Sequence, residues 1–388
     1  MKKLPLEYAV RNLGRSPGRM ILSIGGSLLV VLLVLTAGGF VTGMQRALTD
    51  SGSPNNVILL GTGSEESLER SEIPMRTSGI VAASIDGIAK SAGIDAVSPE
   101  IHMAMPIGLS PDEQGQLAVL RGVTPAAWIV HENVRMTEGR TAETGRDEVA
   151  IGRMAASALG FEPPESALGK SIWLDDIEIT IVGILAADGG VVEGELWYPL
   201  NDLQTLAQRD SLSCVILTRD GASIPEVTAF AARRLDLELA AMPEEEYFAA
   251  LSQFYRPIET MVVLTAILIA IGGVLGGLNT TYAAFASRVR ELGTLQTLGY
   301  SRAAIIWSLL EESLLASSIG ALLACFLGLL LLDDTAIRFS MGVFGIEIDA
   351  FVIAGGLAAG IALGIIGALI PAWRCLRLPI PEALRTSA

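Results

Sequence analysis

The sequence predicts an α-helical membrane protein with four transmembrane helices and a large extracytoplasmic α+β domain inserted between the first and second. Three observations predict it. Of 388 residues 51% are hydrophobic, aromatics are only 5% and glycines number 41, a balance common in packed membrane helices. Four windows are long and apolar enough to cross a bilayer, which takes roughly 20 residues. The formal charge of -15 is unevenly placed: basic residues cluster beside the windows, whereas most acidic residues lie in one long segment between the first two.

Residues 1–19 read as a short basic amphipathic helix on the cytosolic side, with Leu6, Val10 and Leu13 opposite Arg11 and Arg15. The first window, Met20 to Val41, carries no charge, so residues 20–49 are expected to be transmembrane helix 1 and a stalk. Its run exceeds a signal-peptide core of roughly 7–15 residues and no A-x-A-like site follows, which favours an uncleaved anchor.

Residues 50–241 read as the α+β domain. β-rich runs fall at Val57–Leu60, Leu117–Val123, Ser171–Leu174, Ile177–Ile184 and Cys214–Leu217, with helical patterns at Ile80–Ala89, Arg153–Leu159 and Val227–Leu237. The segment Trp173 to Glu178 has an Asp175-Asp176 turn between two strands, and Gly61 to Ser71 is expected to be a mobile loop.

Residues 242–287 form a second stalk and transmembrane helix 2. Glu244, Glu245 and Glu246 suit a helix N-terminus, Tyr247, Phe248, Leu251, Phe254 and Tyr255 continue the pattern, and Pro257 is expected to bend the helix without ending it. A cytosolic segment, 288–302, precedes helix 3 at 303–332, a short outer loop at 333–349, helix 4 at 350–373 and a cytosolic tail at 374–388. Lys2, Lys3, Arg11, Arg15 and Arg19 precede the first window, Arg288, Arg290 and Arg302 separate the second and third, and Arg374, Arg377 and Arg385 follow the fourth. Four crossings put all three groups on one side, which makes both termini cytosolic.

The residue pattern excludes several chemistries. An acidic chain lacks the basic surface that nucleic acid requires. Gly169-Lys170-Ser171 resembles the end of a P-loop, but Pro164 stands where that motif needs glycine and a strand pattern follows, so no ATP-binding motif is read here. Cys214, Cys325 and Cys375 are far apart, and His102 and His131 have no neighbour at metal-ligand spacing, so no metal site is expected. The runs Glu65, Glu66, Glu69 and Glu244 to Glu246 read as solvated faces, not catalytic pairs.

Several segments together carry a family resemblance. Leu278-Asn279-Thr280 and the stretch Arg288-Val289-Arg290-Glu291-Leu292-Gly293-Thr294-Leu295-Gln296-Thr297-Leu298-Gly299 resemble the signature of MacB/FtsX-like (type VII) ABC-transporter permeases. Ile370-Pro371-Ala372-Trp373-Arg374 and Pro381-Glu382-Ala383-Leu384-Arg385 are similar to the family's closing pattern. Arg121-Gly122-Val123, Glu138-Gly139-Arg140 and Leu168 to Ile172 are similar to its outer domain.

The resemblance implies a permease subunit in a bacterial inner membrane that is no enzyme itself. It has no cofactor on this chain, while ATP and Mg are held by a separate ABC ATPase. Only residues 1–19 precede the first window, so that ATPase is expected on another chain. Further implied partners are a second permease in a homodimer or heterodimer, membrane lipids and, in a trans-envelope arrangement, a periplasmic adaptor or membrane fusion protein. The implied function is conversion of ATP hydrolysis into motion of stalk and outer domain, driving export or extraction of a lipid, lipoprotein, peptide or drug. The alternative is FtsX-like mechanotransmission to an extracellular partner without transport; a passive scaffold is disfavoured because it needs no ATPase contact.

The site expectations follow from that implication and the local pattern. Arg288, Arg290, Glu291, Leu292, Gly293, Leu295, Leu298 and Gly299 are expected to couple to the ATPase, with Leu292, Leu295 and Leu298 as anchors in a partner groove and Gly299 ending the helix. Gly272, Gly273, Gly276 and Gly277 in the second span, and Gly356, Gly360, Gly364 and Gly367 in the fourth, form small-residue faces suited to packing within one chain or across a dimer. Asn279, Glu311 and Glu312 are intramembrane polar residues. The preferred reading of the two glutamates is structural, with a hydrogen bond to Asn279 or Thr280 or a contact across the dimer, rather than a proton-linked or gating role.

Overall fold

The computed structural model describes residues 4–15, 17–112, 115–174, 176–339 and 342–385; Lys2, Lys3 and the turn residue Asp175 lie outside the described residues. The chain divides into two compact units. One comprises Met1–Thr42, Pro257–Thr335 and Ile346–Ala388, the other Gly43–Arg256 and Ala336–Gly345.

The first unit is helical. Its elements are α1 (Leu6–Arg15), α2 (Pro17–Thr49, of which residues to Thr42 belong here), α3 (Glu244–Ala286, from Pro257 onward), α4 (Val289–Thr297), α5 (Arg302–Leu331), α6 (Ala350–Cys375) and α7 (Ile380–Arg385). Four of these, α2, α3, α5 and α6, are long and apolar enough to cross a membrane. Pro257 sits inside α3 without ending it, as expected. Ser301 and Asp349 cap α5 and α6 by accepting from the backbone N–H groups of Ala304 (3.3 Å) and Val352 (2.8 Å), supplying acceptors that a helix start otherwise lacks. Helices α5 and α6 pack along their length, and small residues bring α2 against both. A Cβ on Gly320 would lie 2.5 Å from the Ile24 carbonyl, and one on Gly356 2.8 Å from Leu35.

Helix α1 meets the rest of the unit through Ala9 and Asn12, which are buried, while Val10 is 53% exposed.

The second unit is α+β. Among the described residues its main sheet has ten strands: β1 (Asn56–Gly61), β2 (Val97–Gly108), β3 (Gln116–Val123), β4 (Arg135–Gly139), β5 (Glu148–Gly152), β6 (Ser171–Leu174), β7 (Ile177–Ala186), β8 (Glu195–Pro199), β9 (Cys214–Thr218) and β10 (Leu239–Pro243). The order is β10-β1-β9-β2-β3-β8-β5-β7-β4, with β6 pairing both β7 and β2. Pairings are antiparallel except β3 with β8 and β5 with β7. Strands β1, β5, β8 and β9 are buried at every position, which explains their near-continuous apolar sequences.

Five strands match the β-rich runs of the sequence, and β6 with β7 is the hairpin expected around residue 175, with Leu174 opposite Ile177. The longest strand, β2, was not foreseen. It carries Pro99, Glu100, His102 and Pro106, so neither period-2 hydrophobicity nor β-propensity marks it. The stretch after β1 is tied down instead of loose: Leu68 is buried, and Ser71 Oγ accepts from the Gly61 N–H at 2.8 Å.

Candidate functional site

Helix α4 lies between the second and third long helices, where coupling residues were expected. Leu298 closes it, and Gly299 follows at φ +91°, the left-handed conformation that glycine adopts without a side-chain clash. The Tyr300 N–H donates to the Leu295 carbonyl (3.2 Å) and the Gly299 N–H to that of Gln296 (3.1 Å), a Schellman ending. Gly299 thus ends the helix as the pattern implied.

The apolar face of α4 does not look outward. Val289 and Leu292 are buried in a core with Phe285, Ile305, Leu309, Ala368, Ala372 and Leu376, and Leu295 and Tyr300 pack against it. Gly293 is buried as well. The expectation that Leu292 anchors a partner is therefore corrected: it anchors α4 to its own chain, with Leu295 half-buried beside it. The outward face presents Arg290, Thr294, Thr297 and Leu298, the last 65% exposed.

A charged network holds the start of this helix. Glu312 of α5, 5% exposed, accepts from Arg19 (2.7 Å) and Arg288 (3.1 Å). Arg288 also donates to Glu291 (3.1 Å), and Glu291 accepts from the Tyr8 hydroxyl (2.6 Å), with Arg15 at 3.6 Å. Burial acts to raise the Glu291 carboxyl, but hydrogen bonds from Tyr8 and Arg288 hold it below the usual carboxylate range. The partners of Glu312 are arginines and not Asn279 or Thr280, because a desolvated carboxylate is best balanced by a cation. Glu311 has a buried Oε2 with no hydrogen-bond partner among the described residues, and Asn279 is exposed.

The two glycine faces have different fates. In α6, Gly356, Gly360 and Gly364 meet Leu35, Ala321 and Ser317, so that face is consumed within the chain. In α3 only Gly273 meets a neighbour, Val30; a Cβ on Gly272, Gly276 or Gly277 would find nothing within 4 Å.

A second network, unseen in the sequence, lies in the core of the α+β unit. Glu100 Oε1 is 2.7 Å from His131 Nε2 and accepts from Ser98 Oγ (2.8 Å); Oε2 is 3.1 Å from His102 Nε2 and accepts from Arg121 (3.1 Å). Arg121 also grips Glu195 through two bonds of 2.7 and 2.8 Å, and its guanidinium lies 5.9 Å from the centre of the Trp197 ring. Every ionisable member is at most 6% exposed. Burial would raise the Glu100 carboxyl, yet His131, Arg121 and the hydrogen bonds hold it well below its ordinary value, while burial pushes the His102 imidazole down toward its neutral form. Glu244, read as solvated, is 3% exposed; it accepts from the Ser53 N–H and from Asn56 Nδ2, each at 2.9 Å.

The expectation that the histidines lack a ligand partner fails here because strand alternation puts Glu100 and His102 on one face of β2, and the sheet adds Cys214 opposite Glu100. A Glu-x-His pair in an extended segment was the available signal. It stayed hidden because β2 was not recognised as a strand.

Comparison with known proteins places this architecture. The model of the MacB-like periplasmic core domain matches residues 20–233, and that of the FtsX-like permease C-terminal region matches 263–380. The uncharacterized ABC transporter permease YknZ of Bacillus subtilis is 24% identical over 384 residues, covering 95% of each chain. The macrolide export ATP-binding/permease protein MacB of Sodalis glossinidius is 23% identical over 408 residues, covering 98% of this chain but 60% of that protein. A crystal structure of the extracellular domain of the noncanonic ABC-type transporter YknZ from Gram-positive bacteria aligns with 48% of this chain and 100% of its own, at 20% identity and a TM-score of 0.37. With more than half its length matched by the first family model, and with four membrane-length helices around an inserted extracytoplasmic α+β domain, the chain is a multi-pass membrane protein that belongs to the MacB/FtsX-like family of ABC-transporter permeases.

Proposed function

We propose that this permease receives force from a separate ABC ATPase on the outward face of α4 and passes it into its long helices, to move the extracytoplasmic domain in export or extraction of a lipid, lipoprotein, peptide or drug. The observation that carries the reading is the way α4 is mounted. Its apolar face is built into the helical core and its N-terminal end is cross-linked by Arg288, Glu312 and Arg19 to α5 and α2, while Arg290, Thr294, Thr297 and Leu298 are left to solvent. A helix fixed on one side and free on the other transmits a push rather than absorbing it.

On this reading the chain sits in a bacterial inner membrane with cytosolic termini, and ATP and Mg belong to the partner. A second permease pairs along Gly272, Gly276 and Gly277, where close helix approach in lipid is unobstructed. A periplasmic adaptor is compatible with the same scheme.

The test uses Arg290→Glu combined with Leu298→Asp, both at exposed positions, so the fold should persist. Co-purification with the ATPase and its stimulated hydrolysis should both fall to background. A partner that stays bound and active overturns the assignment, as does labelling of a cysteine placed at Gln296 by an impermeant reagent added outside intact cells.

A further inference from the structure

We propose that Glu100, His102 and Cys214 form a binding site for a divalent transition-metal ion of the zinc type in the core of the extracytoplasmic domain. Sheet register creates the donor set. Glu100 and His102 are alternate residues of β2, and Cys214 of β9 stands directly opposite Glu100 in the antiparallel pair. Their oxygen, nitrogen and sulfur donors all lie within 4.8 Å of one another. The Glu100 Oε2 to His102 Nε2 separation is 3.1 Å. Two ligands about 2.0 Å from a tetrahedral ion stand about 3.3 Å apart, so these two need hardly move.

The surroundings fit the same ion. Carboxylate, imidazole and thiolate are the ligand types of zinc sites. Glu100 is oriented from behind by Ser98 and His131 through its other oxygen, the arrangement by which outer groups aim a ligand. Cys214 is fully buried and has no hydrogen-bond partner among the described residues. Burial keeps its thiol protonated. His102 Nε2 faces a Glu100 oxygen that only accepts, so it carries a hydrogen that the ion replaces. On binding, the Cys214 S–H bond breaks and its proton leaves to water, the His102 Nε2–H proton is replaced by one at Nδ1, and the freed sulfur and nitrogen lone pairs form the bonds to the metal; no redox change is involved.

Charge balance asks for such an ion. Glu100, Glu195 and Glu244 are three buried carboxylates, and Arg121 is the one buried arginine that faces them among the described residues. Uncompensated buried charge is expensive, and a bound cation would offset part of it. Access exists: His102, Arg121 and Glu195 line a cavity of about 370 Å³ within the same domain, walled by Tyr247, Phe248 and Phe344. That cavity reaches the donor set at His102, which gives an ion an entry path.

The experiment is a Co(II) titration of the full chain in detergent, without a histidine tag, in a Cys325→Ser, Cys375→Ser background so that Cys214 is the one remaining thiol. One Co(II) per chain with an intense thiolate-to-cobalt charge-transfer absorption, displaced by Zn(II), is expected. His131→Ala should weaken binding about 10–100-fold, as loss of a ligand-orienting group does. Cys214→Ser should remove the band. Absence of the band in the folded background protein overturns the proposal; a band that survives Cys214→Ser in folded protein overturns it equally.

Discussion

The network around Glu312 and the network around Glu100 are made of the same residue types, but their charge balances run opposite ways. At the base of α4, Arg15, Arg19 and Arg288 face Glu291 and Glu312, so cations are in excess and each carboxylate has more than one. In the α+β core, Glu100 and Glu195 share Arg121, and Glu244 is held by an amide and a backbone N–H. The first network is redundant and half-open to water; the second is buried and hangs on one arginine. Redundancy suits a joint that is loaded and released, because losing one contact leaves Glu312 balanced. A buried cluster with a single fixed cation is more easily unbalanced and can respond to a proton or a metal.

The sharpest way to break this contrast is to remove one arginine from each network. Arg121→Met strands two carboxylates in the core and should cost about 3–5 kcal/mol in denaturant unfolding followed by tryptophan fluorescence, since Trp197 lies beside it. Arg19→Met leaves Glu312 its bond to Arg288 and should cost less, about 1.5–3 kcal/mol. Equal losses would mean that the two networks do not differ as described.

The glycine faces extend the contrast from charge to packing. Gly320→Leu drives a side chain into the backbone of α2 and should destabilise the helical unit by about 1–3 kcal/mol. Gly276→Leu meets nothing within the chain and should leave thermal unfolding of the isolated permease unchanged, while reducing cross-linking between cysteines placed on α3 of paired permeases. A destabilised Gly276→Leu chain would show that α3 packs against its own unit after all. Among the destabilising changes, the smallest is expected at the end of α4. Gly299→Ala forces a side chain into the left-handed region and should cost about 1 kcal/mol, read as a small drop in the melting temperature with the ATPase contact retained.

The ordering of these effects follows how visible each feature is in the sequence. Gly299 and the four long helices are local: a helix that crosses lipid must be apolar over its own length, and a Schellman ending needs a residue that tolerates positive φ at one position. The buried strands β1, β7 and β9 were legible for the same reason, since their apolar runs sit inside single segments. Strand β2 was not, because its Glu, His and Pro residues make sense only once the opposite strand and Arg121 are in place.

The amino-acid order alone therefore determined the spans, the inserted α+β domain, the family and the existence of an amphipathic helix after the second span. Tertiary structure decided what that helix turns toward, which glycines are already used, and that Glu100, His102, Arg121, Glu195 and Cys214 meet. The reason is physical: hydrophobicity and turn chemistry act between near neighbours in sequence, whereas the balance of a buried charge depends on residues as far apart as Arg19 and Glu312, 293 positions, brought together by helix packing or sheet register.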